Sequence, residues 1–337
     1  MGEARLTSRA WGALVGVAVG DALGMPSQTF DREEIFSSYG RIADFLAPID
    51  DHPVSHGLRA AQVTDDTEQT LLLADLLILG KGKVDAGLWA QALLRWEADV
   101  AARGSRDLLG PSSKAALKAL LAGVPPSETG KTGTTNGAAM RIVPVGICTP
   151  PDLPQMLQRV AAACQVTHAT GEAIAAAAAV AMVISQGLAG ARFDEALPLA
   201  LDAASAGNRM GAPVGERDVA GCIAFALDLA ARAGEEELAR EIGTSVASRA
   251  SVAAAFGVVR LAKGDPWATA LIAANIGDDT DTIGAIATAM AGACAGIEAF
   301  PKDKVEQVLR ANSLDLEPVI AGLLDLRAAA QAERVVT

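Results

Sequence analysis

Aromatic residues are scarce in this 337-residue chain, at 4%, while hydrophobic residues reach 51% and are dominated by Ala and Leu. Small apolar side chains let helices pack closely, and Ala and Leu are strong helix formers. Runs of β-branched residues with period-two alternation are also scarce, which leaves little from which to build a sheet. The four cysteines (Cys148, Cys164, Cys222, Cys294) are scattered, with no CxxC pair. That excludes the usual zinc spacings and gives no sign of a disulfide framework, so a reducing cytoplasm is the expected setting. Basic residues are outnumbered, 28 against 40 acidic, for a net charge of −12. Such a balance opposes binding to nucleic acid or to an anionic membrane surface and suits the binding of cations. Long hydrophobic runs are missing as well. Ala173 to Ile184 is fully apolar but only 12 residues long, which reads as a buried helix and not as a membrane span. The apolar stretch from Trp11 to Met25 is interrupted by Asp21 and several Gly and has no clear cleavage site after it, so it makes a poor signal peptide.

What remains is an all-α protein, expected as one domain over residues 1–337. The pattern predicts helices at about 11–23, 65–79, 86–102, 152–165, 171–187, 194–206, 216–232, 236–249, 251–263 and 316–332, with a further helix ending near Gly123 and a long one beginning near Asp281. Residues 30–63 and 130–137 read as long irregular segments, the kind that form lids or binding loops. The segments 171–187 and 282–297 are apolar nearly all round and should lie at the centre of the bundle.

Two short acidic clusters stand at predicted helix starts. One is Thr64-Asp65-Asp66; the other is Asp278-Asp279-Thr280-Asp281-Thr282. Asp and Thr are common N-caps, and Asp65 with Glu68 fits a variant of the capping box. One cap suffices for a helix, however, and the second cluster holds three Asp and two Thr. Adjacent carboxylates repel and are commonly neutralised by a cation when a fold holds them close. Carboxylate and hydroxyl oxygens without nearby Cys or His suit a hard ion such as Mg²⁺, Mn²⁺ or Ca²⁺. The two clusters together would make a two-metal site if the fold brings them into contact.

Five ordered segments give the chain a resemblance to the ADP-ribosylglycohydrolase family. They are Gly20-Asp21-Ala22-Leu23-Gly24, Thr64-Asp65-Asp66-Thr67, Asn136-Gly137-Ala138-Ala139-Met140-Arg141, Thr167-His168-Ala169, and Asn275 and Gly277 with Asp279-Thr280-Asp281-Thr282. The resemblance implies a compact orthogonal multi-helix bundle and two divalent ions, Mg²⁺ or Mn²⁺. It implies Thr64, Asp65, Asp66, Asp279, Asp281 and Thr282 as ligands, with Asp281 bridging. It implies a ribosyl or ADP-ribosyl substrate, free or carried on a protein, contacted by Asn136, Gly137 and His168, with Asp21 ordering water near the ions. Two positions depart from the family pattern. The stretch Gly24-Met25-Pro26-Ser27-Gln28 ends in an amide where family hydrolases commonly carry Glu, and Asp278 stands where Gly is usual. An amide is no base near neutral pH, so Gln28 is expected to hydrogen-bond water or ribose while base duty passes to metal-bound hydroxide or to one of Asp65, Asp66 and Asp279. The departure keeps two alternatives open: a nucleosidase acting on a nucleoside or small riboside, and a catalytically lapsed relative that only binds its ligand.

Overall fold

The computed structural model describes residues 2–103, 109–214 and 218–336. Among the described residues eighteen α-helices follow one another, beginning with Glu3–Gly24 (α1), Arg32–Tyr39 (α2), Asp65–Leu79 (α3), Ala86–Ala102 (α4), Pro111–Leu121 (α5) and Pro126–Thr129 (α6). Next come Gly137–Met140 (α7), Val143–Cys148 (α8), Leu153–Cys164 (α9), Gly171–Leu188 (α10), Phe193–Gly207 (α11) and Val219–Arg232 (α12). The last six are Glu235–Ile242 (α13), Ser248–Leu261 (α14), Pro266–Ala273 (α15), Thr280–Ala295 (α16), Lys302–Asn312 (α17) and Glu317–Val336 (α18). No strand forms among the described residues; two isolated bridges, Thr135 with Ala247 and Thr170 with Ala212, pin loops together. The fold is all-α, as the composition requires.

At the centre, α1 lies against α16 along most of its length, the most extensive contact in the molecule. Glycine makes it possible. Gly12, Gly16, Gly20 and Gly24 recur every fourth residue on one face of α1, so all four point the same way. A Cβ on Gly20 would sit 2.0 Å from the Gly284 carbonyl oxygen, and one on Gly12 2.3 Å from that of Gly292. The two backbones touch directly, and no side chain larger than hydrogen fits between them. Helix α10 flanks this pair and is buried nearly throughout. It is long and apolar enough, by length and composition, to cross a membrane, but it faces protein on almost every side. Both segments expected at the centre, 171–187 and 282–297, are there.

Several expectations need correcting. The stretch 30–63 is not wholly irregular, because Asp31 and Glu34 form a reciprocal capping box that starts α2. The predicted helix 236–249 breaks at Gly243, whose φ of +80° ends α13 before α14 begins. Helix α12 starts at Val219; residues 216–217 of its predicted range lie outside the described residues. Helices α15 and α17 are additions, and so is the short α6. The capping box at Asp65 does not form. Thr64 is the N-cap and makes no local side-chain cap bond. Glu68 turns outward instead, accepting from Trp96 Nε1 at 2.7 Å and pairing with Arg103 at 2.7 Å.

Candidate active site

The close contact of α1 with α16 sets two helix starts side by side. Asp21, one residue past Gly20, is wholly buried and reaches across to α3. Its carboxylate accepts from the backbone N–H of Thr64 (2.9 Å) and of Thr67 (3.1 Å), and from the hydroxyls of Thr64 (2.8 Å) and Thr67 (2.6 Å). Asp21 therefore caps α3 from another helix. The local residues Asp65 and Asp66 are released from that duty, and the Thr64 hydroxyl, having donated its proton, keeps its lone pairs.

The start of α16 is held in an equivalent way by distant groups. The Thr280 hydroxyl donates to the Gly24 carbonyl at 2.8 Å and accepts from Ser27 at 3.1 Å, turning away from the cluster. Asp279 accepts a hydrogen bond from the Asn136 amide, which also reaches Ser251 at 3.0 Å. Asp281 accepts from the Thr282 N–H at 2.9 Å. Asp278 takes a left-handed conformation with φ of +62°, the reason glycine suits this position. Its N–H donates to the Phe30 carbonyl and its carbonyl accepts from the Thr29 N–H, both at 2.7 Å. Its own side chain is exposed.

The clusters meet. Thr282 of one cluster favours the charged form of Asp66 in the other, and the charges of Asp65 and Asp66 are felt with those of Asp279 and Asp281. Burial first, then mutual repulsion, pushes Asp65, Asp66 and Asp281 well above the ordinary carboxylate range. Burial raises Asp21 and Asp279 to about 6. The Asp66 Oδ1 atom is buried with no hydrogen-bond partner among the described residues. Leaving such an oxygen empty-handed is costly. No three His, Cys, Asp or Glu side chains among the described residues are closed into a ready-made cage, but the Thr64 and Thr282 hydroxyls enlarge the oxygen set beyond carboxylates. Crowded carboxylates, hydroxyl lone pairs and an unpaired buried oxygen fit a hard divalent cation.

Around this centre runs a wall of fixed polar groups. Asp65 accepts from Gln69 Nε2 at 3.0 Å, and Gln69 accepts from the Arg141 guanidinium at 2.7 Å. Arg141 is buried, lies 5.3 Å from the Trp89 ring centroid, and is lowered to about 10 by burial, which leaves it cationic at neutral pH. His168 faces Arg141 and Thr167 through Nδ1 and Thr135 through Nε2 at 3.0 Å. Burial and the neighbouring Arg141 hold it well below the usual imidazole range, so it is neutral.

The sequence profile of the ADP-ribosylglycohydrolase family matches residues 2–333 of this chain. The chain belongs to the ADP-ribosylglycohydrolase family. It is 34% identical to the uncharacterised protein YegU of Escherichia coli (strain K12), over 95% of this chain and 98% of that one. It is 28% identical to the ADP-ribosylarginine hydrolase Tri1 of Pseudomonas putida (strain GB-1), over 89% of this chain and 74% of that one. A solved structure described as an ADP-ribosylglycohydrolase-related protein complex superposes with a TM-score of 0.69 at 26% identity, covering 97% of this chain and 99% of that one. Membership makes the protein a hydrolase of glycosidic bonds.

Within this ADP-ribosylglycohydrolase, all six residues read as metal ligands gather at the paired helix starts. Asp21 is occupied by the α3 cap. Asn136 binds Asp279, and Gly137 packs on the His168 ring, where a Cβ would come within 2.9 Å of Cε1. Segment 130–137 is firmly held: the N–H groups of Lys131, Gly133, Thr135 and Asn136 all have partners. His168 is fully enclosed beneath this loop. Gln28 donates from Nε2 to Ser55 Oγ at 2.7 Å, and Ser55 in turn donates to the Met25 carbonyl at 2.9 Å. Because the Ser55 proton is spent on Met25, the amide nitrogen of Gln28 must face Ser55, and its Oε1 is left as an acceptor. His52 fixes this arrangement, since its Nδ1 accepts from the Ser55 N–H at 2.8 Å. Sequence reasoning missed Ser55, Gln69 and Thr67. Each is a common polar residue with no local pattern to mark it; only Thr67 lay inside a quoted motif.

Proposed function

We propose that this hydrolase removes ADP-ribose from a modified group, with two divalent ions, Mg²⁺ or Mn²⁺, held by Thr64, Asp65, Asp66, Asp279, Asp281 and Thr282. One observation carries the reading: two acidic helix starts more than two hundred residues apart converge, and Asp66 Oδ1 is buried there without a partner. The relatives named as ADP-ribosylarginine hydrolase support the substrate class. Divalent ions in such a site orient a ribose diol and lower the pKa of a nearby water. The protein's own groups supply the rest. Asp65 is aimed by Gln69 and Arg141, and Asp279 by Asn136, so neither side chain must reorganise during reaction. Carboxylates so placed stabilise the positive charge that grows on the ribose as the C1′ bond breaks. Gln28 Oε1 accepts a hydrogen bond from water or ribose but cannot take a proton; a carboxylate of the cluster, Asp65, Asp66 or Asp279, takes it.

Incubation with Mg²⁺ or Mn²⁺ and ADP-ribosyl-arginine, ADP-ribosyl-serine or O-acetyl-ADP-ribose should release ADP-ribose from at least one, and a chelator should stop it. No release from any of the three overturns this substrate class. Release of base and ribose from a nucleoside panel instead would assign the same chemistry to nucleosides.

A further inference from the structure

The C-terminal end of α16 faces a cavity unrelated to the acidic centre. Asp281 and Ala295 are fourteen residues apart on the helix, about 21 Å at 1.5 Å per residue. The cavity measures about 350 Å³. Its floor is apolar, formed by the buried side chains of Phe193, Val259 and Cys294. Its rim carries three cations, Arg192, Arg260 and Lys263, against one carboxylate, Asp194. A local excess of positive charge is unexpected in a chain of net charge −12, and ion pairing explains only part of it: Arg192 pairs with Glu195 at 3.1 Å, whereas Lys263 has no ion-pair partner among the described residues. Arg260 meets Asp194 at 3.3 Å through Nη2 only, while its Nε is buried and has no hydrogen-bond partner among the described residues. Lys263 stands on a left-handed turn, φ +56°, and lines the same cavity as Arg260.

We infer that this cavity binds a phosphate monoester, its dianion held by Arg260 and Lys263 and its organic part resting on Phe193, Val259 and Cys294. Phosphate is favoured over a carboxylate because several separate donors converge, and a dianion with three acceptor oxygens can engage them together. The apolar floor calls for an ester in place of the free ion. Asp194 occupies Arg260 when the cavity is empty and competes with the ligand. The Cys294 thiol, pushed up to about 12 chiefly by burial, contributes contact and no reactivity.

The test is calorimetric titration of the full chain with phenyl phosphate, inorganic phosphate and benzoate, with and without Mg²⁺. Phenyl phosphate should bind best. Arg260→Gln and Lys263→Gln should each weaken it about tenfold or more. Asp194→Asn should tighten it, the opposite direction for a neighbouring residue. Thermal melts would verify that each variant is folded. No binding of phenyl phosphate, equal binding by wild type and the Arg260→Gln/Lys263→Gln double variant, or weaker binding by folded Asp194→Asn would each overturn the proposal. Binding of inorganic phosphate as tight as the ester would overturn the role of the apolar floor. The site does not rest on the hydrolytic reading, since none of its residues belongs to the acidic centre.

Discussion

Asp265 and Asp279 both precede helices in the same stretch of chain, yet they do different work. Asp265 accepts from the Ala268 N–H at 2.7 Å and caps α15 in the ordinary way. Asp31, Asp85, Asp152, Thr170 and Asp218 do the same for α2, α4, α9, α10 and α12. At the starts of α3 and α16 no local side chain makes a cap bond. There the anchoring comes from far along the chain, from Asp21 for α3 and from Gly24 and Asn136 around α16. Acidic residues at a helix start are ambiguous only until their cap bonds are known. Those that make none, while crowding one another in a buried place, are being kept for another purpose.

The comparison can be broken most severely at the packing that brings the two starts together. Gly20→Ala places a Cβ 2.0 Å from the Gly284 carbonyl, and the expected cost is about 3 kcal/mol or more. Chemical denaturation should show it, with metal affinity lost in parallel. A smaller change separates cap from ligand. Asp281→Asn keeps an acceptor for the Thr282 N–H but removes a repelling charge. Divalent-ion affinity should fall about 100-fold, a shift of about 2.7 kcal/mol, while the metal-free melting temperature holds or rises. Unchanged affinity in calorimetry would refute the assignment of Asp281 as a ligand.

Next in size is a pH effect. Asp21 and Asp279 are raised to about 6 by burial from an ordinary value of 3.8. Between those values the folded, metal-free protein holds protons that the unfolded chain has lost. Its stability should therefore fall as pH rises from about 4 to 6, by up to about 1.4 kcal/mol per pH unit for each such proton. Divalent ions compete with those protons, so adding Mg²⁺ or Mn²⁺ should raise the melting temperature more at pH 7 than at pH 5. A metal-free stability that climbs across this window would contradict the carboxylate crowding. The smallest effect is the control. Asp265→Ala should cost about 1 kcal/mol and leave metal affinity untouched.

Much of this molecule was legible in the residues. Ala and Leu enrichment with few aromatics gave an all-α fold, and the apolar girth of 171–187 and 282–297 marked the central helices. The oxygen-rich clusters were visible too. Other features were hidden for physical reasons. The helix predicted over 236–249 ends early because Gly243 adopts a positive φ that composition does not reveal. Glu68 looked like a capping partner until Trp96 and Arg103, distant along the chain, claimed its carboxylate.

By itself the sequence determined which chemistry was available: hydroxyl and carboxylate oxygens at two helix starts, and glycines every fourth residue on α1. Only the tertiary structure decided their use. The α1–α16 backbone contact put Asp21 within reach of Thr64 and Thr67, and that bond freed Asp65 and Asp66 from capping. Hydrogen bonds between residues dozens or hundreds of positions apart depend on geometry that short-range patterns do not encode. The same is true of Gln28, whose residue type forbids base catalysis outright, while the side of its amide that faces outward is set by one proton on Ser55.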